Sequence, residues 1–201
     1  MTRFAVFASG RGSNLEALFD ELADHPRGRI ALVASDRPDA PALARAQRRG
    51  VPVAVLDPTD AAATIELLES HGIDWIVLAG YLKRVPAAVV ERWRNRILNV
   101  HPALLPRFGG PGMYGARVHE AVLEAGETAS GASVHLVDEE YDRGPVVAQW
   151  TVPVESGDTP ETLAARVLEV EHRLLPAVVR AAAEGRVRVD GDRAWVEGEL
   201  E

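Results

Sequence analysis

The 201-residue sequence predicts an α/β fold, a mostly parallel sheet with helices on both faces and antiparallel strands added in the C-terminal half. Three observations point there. The first hundred residues alternate short unbroken apolar runs with amphipathic segments, and an unbroken run marks a strand covered on both faces. After residue 128 two strand-like runs follow one another across an acidic turn, the pattern of an antiparallel pair. No internal repeat, low-complexity segment or Gly/Ser linker interrupts the chain, so one domain spanning residues 1–201 is expected.

The elements follow in order. Strands are expected at Phe4–Ala8, Ile30–Ala34, Val53–Leu56, Trp75–Ala79 and Arg96–Val100. Between the first two lies "SNLEALFDELAD", with Leu15, Leu18, Phe19 and Leu22 on one helical face and Ser13 with Glu16 as an S-x-x-E capping box. Further helices are expected near Ala40–Arg49, Ala61–His71 and Pro86–Trp93. Strand–helix–strand alternation with right-handed crossovers makes the fold Rossmann-like, and ligands of such sheets sit beyond the carboxyl ends of the strands. In "GASVHLVDEEYDRGPVVAQWTVPV" two strands flank a turn around Glu139–Gly144. A long helix then opens at "DTPE", with Leu163, Val167, Val170 and Leu174 as its apolar stripe and Glu171 at the border. The tail "VRVDGDRAWVEG" reads as an Asp-Gly hairpin.

Composition narrows the function classes. With 47% hydrophobic and 26% charged residues and no long apolar span, the chain has no predicted membrane segment, and its start is too short in apolar residues for a secretory signal. A cytoplasmic location is expected. Zero cysteine excludes disulfides, thiol nucleophiles and Cys-type zinc sites, and the histidines show no metal-ligand spacing, so no metal is expected. A net charge of −8 argues against a nucleic-acid partner and for small-molecule substrates.

Three stretches can carry chemistry. "SGRGSN" at Ser9–Asn14 joins the first strand to the first helix, where free backbone N–H groups and the helix dipole suit a monophosphate; a tight turn would need Gly10 and Gly12 anyway. In "ILNVHPALLP", Asn99 and His101 are two residues apart at the end of the fifth strand, so both point to one face at the ligand edge. An amide N–H and an imidazole aimed at one oxygen would stabilise charge developing on a carbonyl; local side-chain to backbone bonds would also account for the pair. Pro102 and Pro106 fix the turn that follows, and one of these X-Pro bonds is a candidate for the cis form. Asp142, in "EEYDRGP", is either turn chemistry or the partner of His101, and Asp138, Glu139 and Glu140 compete with it by spacing alone. His135 is either a core histidine or an orienter of its neighbours.

These segments, with "DWIVLAGYLKRVP" and "VEHRLLP", come in an order and spacing that resemble the phosphoribosylglycinamide formyltransferase family, folate-dependent enzymes of purine biosynthesis, from about Arg3 to Val187. The resemblance implies transfer of the formyl group of 10-formyltetrahydrofolate to the amine of glycinamide ribonucleotide by direct attack. It implies that Asn99, His101 and Asp142 are catalytic, that Gly12, Ser13 and Asn14 hold the phosphate, and that Glu171 contacts the ribose. It further implies that Tyr81, Leu82, Lys83, Arg84 and Val85, together with Glu139, Glu140 and Tyr141, enclose the folate, with His135 behind the catalytic set. The tetrahedral oxyanion would then be held by Asn99 and a protonated His101 kept charged by Asp142. Two departures stand out: "RFGGPGMYGARV" after Pro106 is longer than the usual link, and Lys83-Arg84 doubles a basic position, pointing to the folate's glutamate tail. A sugar-nucleotide formyltransferase and a non-catalytic nucleotide-binding module are the alternatives. The chain is expected to be a monomer or homodimer, lacking the basic C-terminal module of methionyl-tRNA formyltransferases and the N-terminal regulatory module of formyltetrahydrofolate deformylases.

Overall fold

Each predicted apolar run forms a strand, and the sheet they build explains why the runs are unbroken. The structure, a computed structural model, describes residues 1–200. Strands β1 (Thr2–Phe7), β2 (Gly28–Ser35), β3 (Val53–Val55), β4 (Trp75–Leu78) and β5 (Ile97–His101) are parallel, and β6 (Ala129–Leu136) and β7 (Val146–Pro153) continue the sheet antiparallel in the order β3-β2-β1-β4-β5-β6-β7. Along β1, Phe4 and Val6 enter one core while Ala5 and Phe7 enter the other. Both faces of the strand are therefore dry. Full burial of a Val, Leu or Phe side chain contributes about 1.5–3 kcal/mol, so neither face tolerates a polar residue mid-strand.

One face is covered by α1 (Ser13–Leu22), α2 (Pro41–Arg48), α5 (Ala116–Glu124) and α6 (Pro160–Ala183), the other by α3 (Ala61–Ser70) and α4 (Ala87–Arg92). The chain runs outward from β1 through β2 to β3, then returns to place β4 on the other side of β1. That reversal opens a crevice at the carboxyl ends of β1 and β4. The expected hairpin forms from β8 (Val187–Asp190) and β9 (Arg193–Val196) and packs beside β7, but Asp190 pairs with Arg193, so the turn residues are Gly191 and Asp192 and not the Asp-Gly pair.

Three local expectations fail for identifiable reasons. The Ser13–Glu16 capping box is absent: Gly12 is the N-cap, in the left-handed region at φ 75°, so Ser13 is already the first helical residue and cannot cap. Glu16 instead pairs with Arg45 and Arg49 of the α2 region. On α6 the buried stripe runs Leu163, Val167, Glu171, Leu174 and Val178, with Val170 only partly buried, so Glu171 lies within the stripe and not at its border. That helix is closed at its start by a reciprocal Thr159–Thr162 capping box. Helix α5 was not anticipated, because it begins directly behind the glycine-rich segment that reads as loop. Its buried residues Val118, His119 and Val122 nevertheless share one helical face.

Candidate active site

Beyond the carboxyl ends of β1, β4 and β5 lies a cavity of about 810 Å³, within the range of small-molecule sites. Its floor is set by strand register. Asn99 on β5 stands opposite His135 on β6, so a parallel strand and an antiparallel one deliver the amide and the imidazole to the same spot. The chain then turns sharply after His101. Ser133 Oγ accepts from the Leu105 N–H at 3.0 Å and donates to the Ala103 carbonyl at 2.5 Å, while Gln149 Nε2 donates to both the Leu105 carbonyl and Ser133 Oγ at 2.8 Å. These two polar side chains of β6 and β7 fasten the proline-bounded turn, whose Leu105–Pro106 bond is cis.

Asp142 closes the group. It sits at φ 55°, a left-handed conformation that Asp accepts better than most residues. Its Oδ2 accepts the Gly110 N–H at 2.9 Å and lies 3.6 Å from His101 Nδ1, and its Oδ1 lies 3.4 Å from His135 Nε2 and 3.5 Å from Asn99 Nδ2. Burial works against its charge, but the contacts with His135, His101 and the Gly110 amide outweigh it and hold the carboxyl below its ordinary value. Asp142 is the acidic residue brought to the histidines; Glu139 and Glu140 lie on the outer part of the same loop.

Carbonyl partners assign the ring protons. His135 Nδ1 lies 2.9 Å from the Leu136 carbonyl, which can only accept, and its Nε2 lies between Asn99 Nδ2 at 3.0 Å and Asp142 Oδ1 at 3.4 Å. This fixes the Asn99 amide with its nitrogen inward and one N–H held only by the long contact to Asp142. His101 Nε2 lies 2.8 Å from the Phe108 carbonyl and so carries a proton, which turns Nδ1 towards Asp142. Burial pulls the His101 imidazole below its ordinary value, more than Asp142 and the Phe108 carbonyl push it up. Burial thus favours a neutral ring whose open nitrogen faces the carboxylate, whereas the resemblance implies a protonated one.

At the other end of the cavity Asn14 Nδ2 donates to Glu171 Oε2 at 2.8 Å, joining the start of α1 to α6 across 157 residues. Burial raises the Glu171 carboxyl, only partly offset by that bond. The first-turn amides of α1 have no partner inside the helix, which leaves an anion-binding end pointing out of the sheet. Gly12 and Ser13 do not themselves line the main cavity; it reaches this turn through Gly10 and Arg11. A Cβ at Gly12 would stand 2.9 Å from the Ala42 Cβ, so both the left-handed φ and the close packing on α2 require glycine.

The predicted folate residues Tyr81, Leu82, Lys83, Arg84, Val85, Glu139, Glu140 and Tyr141 all line the cavity. Tyr81 packs edge-on against Phe7 at 5.4 Å, and burial beside Asp36 pushes its hydroxyl up to about 12. Ser9, buried, accepts the Leu82 N–H at 2.9 Å and bonds to Asp36, anchoring the loop. Arg84 donates to the Glu139 carbonyl and ties the two loops together. No sequence pattern marks the Phe108 and Gly110 backbone contacts, or the cavity-lining Arg11, Met113, Tyr114 and His119. Only the unusual length and glycine content of residues 107–118 pointed to that wall. Among the described residues no group of three or more His, Asp or Glu is placed to hold a metal, and no helix is long and apolar enough to cross a membrane.

A doubly wound sheet with an amide, two imidazoles and a carboxylate at its ligand edge defines a class, and the chain belongs to the formyl transferase family, whose pattern matches residues 2–179. It is similar to the chloroplastic phosphoribosylglycinamide formyltransferase of Arabidopsis thaliana, at 44% identity over 92% of this chain and 67% of that one, and to the enzyme of the same name from Haemophilus influenzae, at 36% identity over 98% and 95%. The crystal structure of glycinamide ribonucleotide transformylase 1 from Symbiobacterium toebii superimposes with a TM-score of 0.91 at 40% identity, covering 98% of this chain and 95% of that one. Within the family its place is thus among the phosphoribosylglycinamide formyltransferases. The chain spans about two thirds of the plant relatives' length, 67% and 64%, and nearly all of the bacterial one.

Proposed function

We propose that this protein transfers the formyl group of 10-formyltetrahydrofolate to the primary amine of glycinamide ribonucleotide. The observation that carries the reading is the convergence of His135, Asn99 and His101 on Asp142, at 3.4, 3.5 and 3.6 Å, in a cavity that also takes in the buried Glu171 and reaches the turn before α1 through Gly10 and Arg11. A ribonucleotide fits that span: phosphate at the Gly12, Ser13 and Asn14 amides, ribose at Glu171, amine near Asp142. The folate co-substrate fits the slot between Tyr81–Val85 and Glu139–Tyr141, where the apolar Leu82, Val85 and Val137 face backbone polar groups.

The amine nitrogen bonds to the formyl carbon, and the carbonyl oxygen becomes an oxyanion held by the Asn99 N–H that is only weakly engaged at rest. The proton released by the amine passes to the His101–Asp142 pair, whose 3.6 Å gap leaves Nδ1 open and whose carboxylate stabilises the imidazolium so formed. Collapse of the adduct breaks the bond from carbon to the folate nitrogen, which takes that proton. A neutral His101 suits this sequence better than a resting imidazolium, since the charge arises only when the amine has added. No acyl-enzyme is formed.

The single domain and the absence of a metal or nucleic-acid partner belong to the same reading. A spectrophotometric assay of tetrahydrofolate release tests it: turnover with glycinamide ribonucleotide and none with an amino-sugar nucleotide is expected, whereas the reverse would identify a sugar-nucleotide formyltransferase and no turnover with either a binding module.

A further inference from the structure

His119 takes no part in the chemistry above, yet it is one of the most enclosed polar residues in the cavity wall. It is 4% exposed, on the face of α5 that packs against α6, and Nδ1 is buried without a hydrogen-bond partner. Nε2 likewise has no partner among the described residues and is not among the enclosed atoms, so it is the nitrogen open to the cavity. A proton on a sealed, unpartnered nitrogen is costly, so the neutral ring carries it on Nε2 and presents an N–H donor. Burial first, and the nearness of His101 second, pull this imidazole below its ordinary value and keep it neutral at pH 7. The cavity lining contributed by α5 and α6 is otherwise Ala116, Pro160, Glu161, Ala164, Leu168 and Glu171, so apart from two acceptor carboxylates it is apolar.

We propose that His119 Nε2 donates to the amide carbonyl of the glycinamide arm, the group that joins the ribose to the reacting amine. The inference rests on the functional reading above and deepens it. Glu171, His119, His101 and Asp142 line one cavity and α5 packs on α6, so the ring belongs to the wall along which an arm would run from a ribose held at Glu171 to an amine at Asp142. A neutral donor suits a neutral carbonyl and adds no charge beside the departing amine proton. His119 is thus a specificity-determining residue: it distinguishes an amine carried on an amide arm from one attached directly to a sugar.

Calorimetric binding of glycinamide ribonucleotide and of ribose 5-phosphate, which lacks the arm, provides the test. His119→Leu should weaken the ribonucleotide roughly five- to tenfold, the worth of one neutral hydrogen bond, and leave ribose 5-phosphate unchanged. His119→Met serves as the second apolar variant if the leucine protein does not fold, and His119→Gln, which keeps an N–H donor, should restore most of the affinity. Steady-state kinetics should show the loss in KM for the ribonucleotide and not in KM for the formyl donor. Equal loss for both ligands would make His119 a packing residue, and no loss for either would remove it from recognition; each result overturns the proposal. Wild-type protein is the control for the underlying reading: if it neither binds nor formylates glycinamide ribonucleotide, that reading fails, whereas normal wild-type behaviour with an unselective variant defeats only the role of His119.

Discussion

At the end of the cavity proposed for the ribonucleotide the polar groups stand on regular elements, the first-turn amides of α1 and Glu171 on α6, joined by one bond of 2.8 Å from Asn14, and the end proposed for the folate is built differently. At the folate end they stand on loops that fasten one another: Arg84 on the Glu139 carbonyl, Gly110 on Asp142, and the Phe108 carbonyl on His101. The first end is rigid because helices cannot move without unpacking a core. The second is positioned by three loop contacts, each replaceable by water. Changes at the first end should therefore act on affinity and stability together, and changes at the second on turnover or folate affinity with little effect on melting.

The largest effect is expected at the junction of the two ends. Asp142→Asn should lower kcat by roughly 10²–10⁴-fold, the range for a positioned acid–base group, while KM for the ribonucleotide changes little. The pH profile adds a signed test. Burial puts His101 below its ordinary value while Asp142 pushes it up, so losing the carboxylate lowers it further, and the acid limb of kcat/KM should move to lower pH. A limb that moves to higher pH would show that Asp142 does not act on His101.

Next comes Gly12→Ala, which would force a Cβ to 2.9 Å from Ala42 in a left-handed backbone. Strain of this kind costs about 1–3 kcal/mol, so melting should fall by several degrees and KM for the ribonucleotide should rise at least tenfold, with KM for the folate unaffected. Thermal melts and initial rates check both halves. Glu171→Gln separates affinity from stability at the same end. Because burial raises this carboxyl, its stabilising contribution is present at low pH and lost as pH rises through the raised value. A neutral amide that still accepts from Asn14 should melt about 2–4 °C higher at pH 7, while KM for the ribonucleotide rises. The smallest effect is expected for Arg84→Ala, a two- to threefold rise in KM for the folate with unchanged melting, since Glu139 loses one exposed tether.

The same contrast explains what the sequence revealed. Strand runs such as Phe4–Ala8 and helix faces such as Leu15, Leu18, Phe19 and Leu22 are periodic, and periodicity survives in one dimension, so the sheet, its helices and the hairpin tail were legible. Asn99 and His101 were legible as a pair because strand geometry puts alternate residues on one side. Asp142 could not be chosen over Asp138, Glu139 or Glu140 from spacing, because a left-handed residue braced by the Gly110 amide on another loop decides the matter. The state of His101 depends on burial that no local pattern encodes. Glycine turns mislead: Gly12 takes the N-cap and brings the helix start forward to Ser13, and the glycines before α5 conceal both a helix and the cavity wall it forms.

The central claim is that a tetrahedral adduct forms where Asn99, His101 and Asp142 meet, and turnover of Asn99→Ala at saturating concentrations of both substrates tests it most directly. Removing one oxyanion donor is expected to lower kcat roughly 10²–10³-fold while both KM values stay within a few fold of wild type. Near wild-type turnover, or a loss confined to KM, would contradict it.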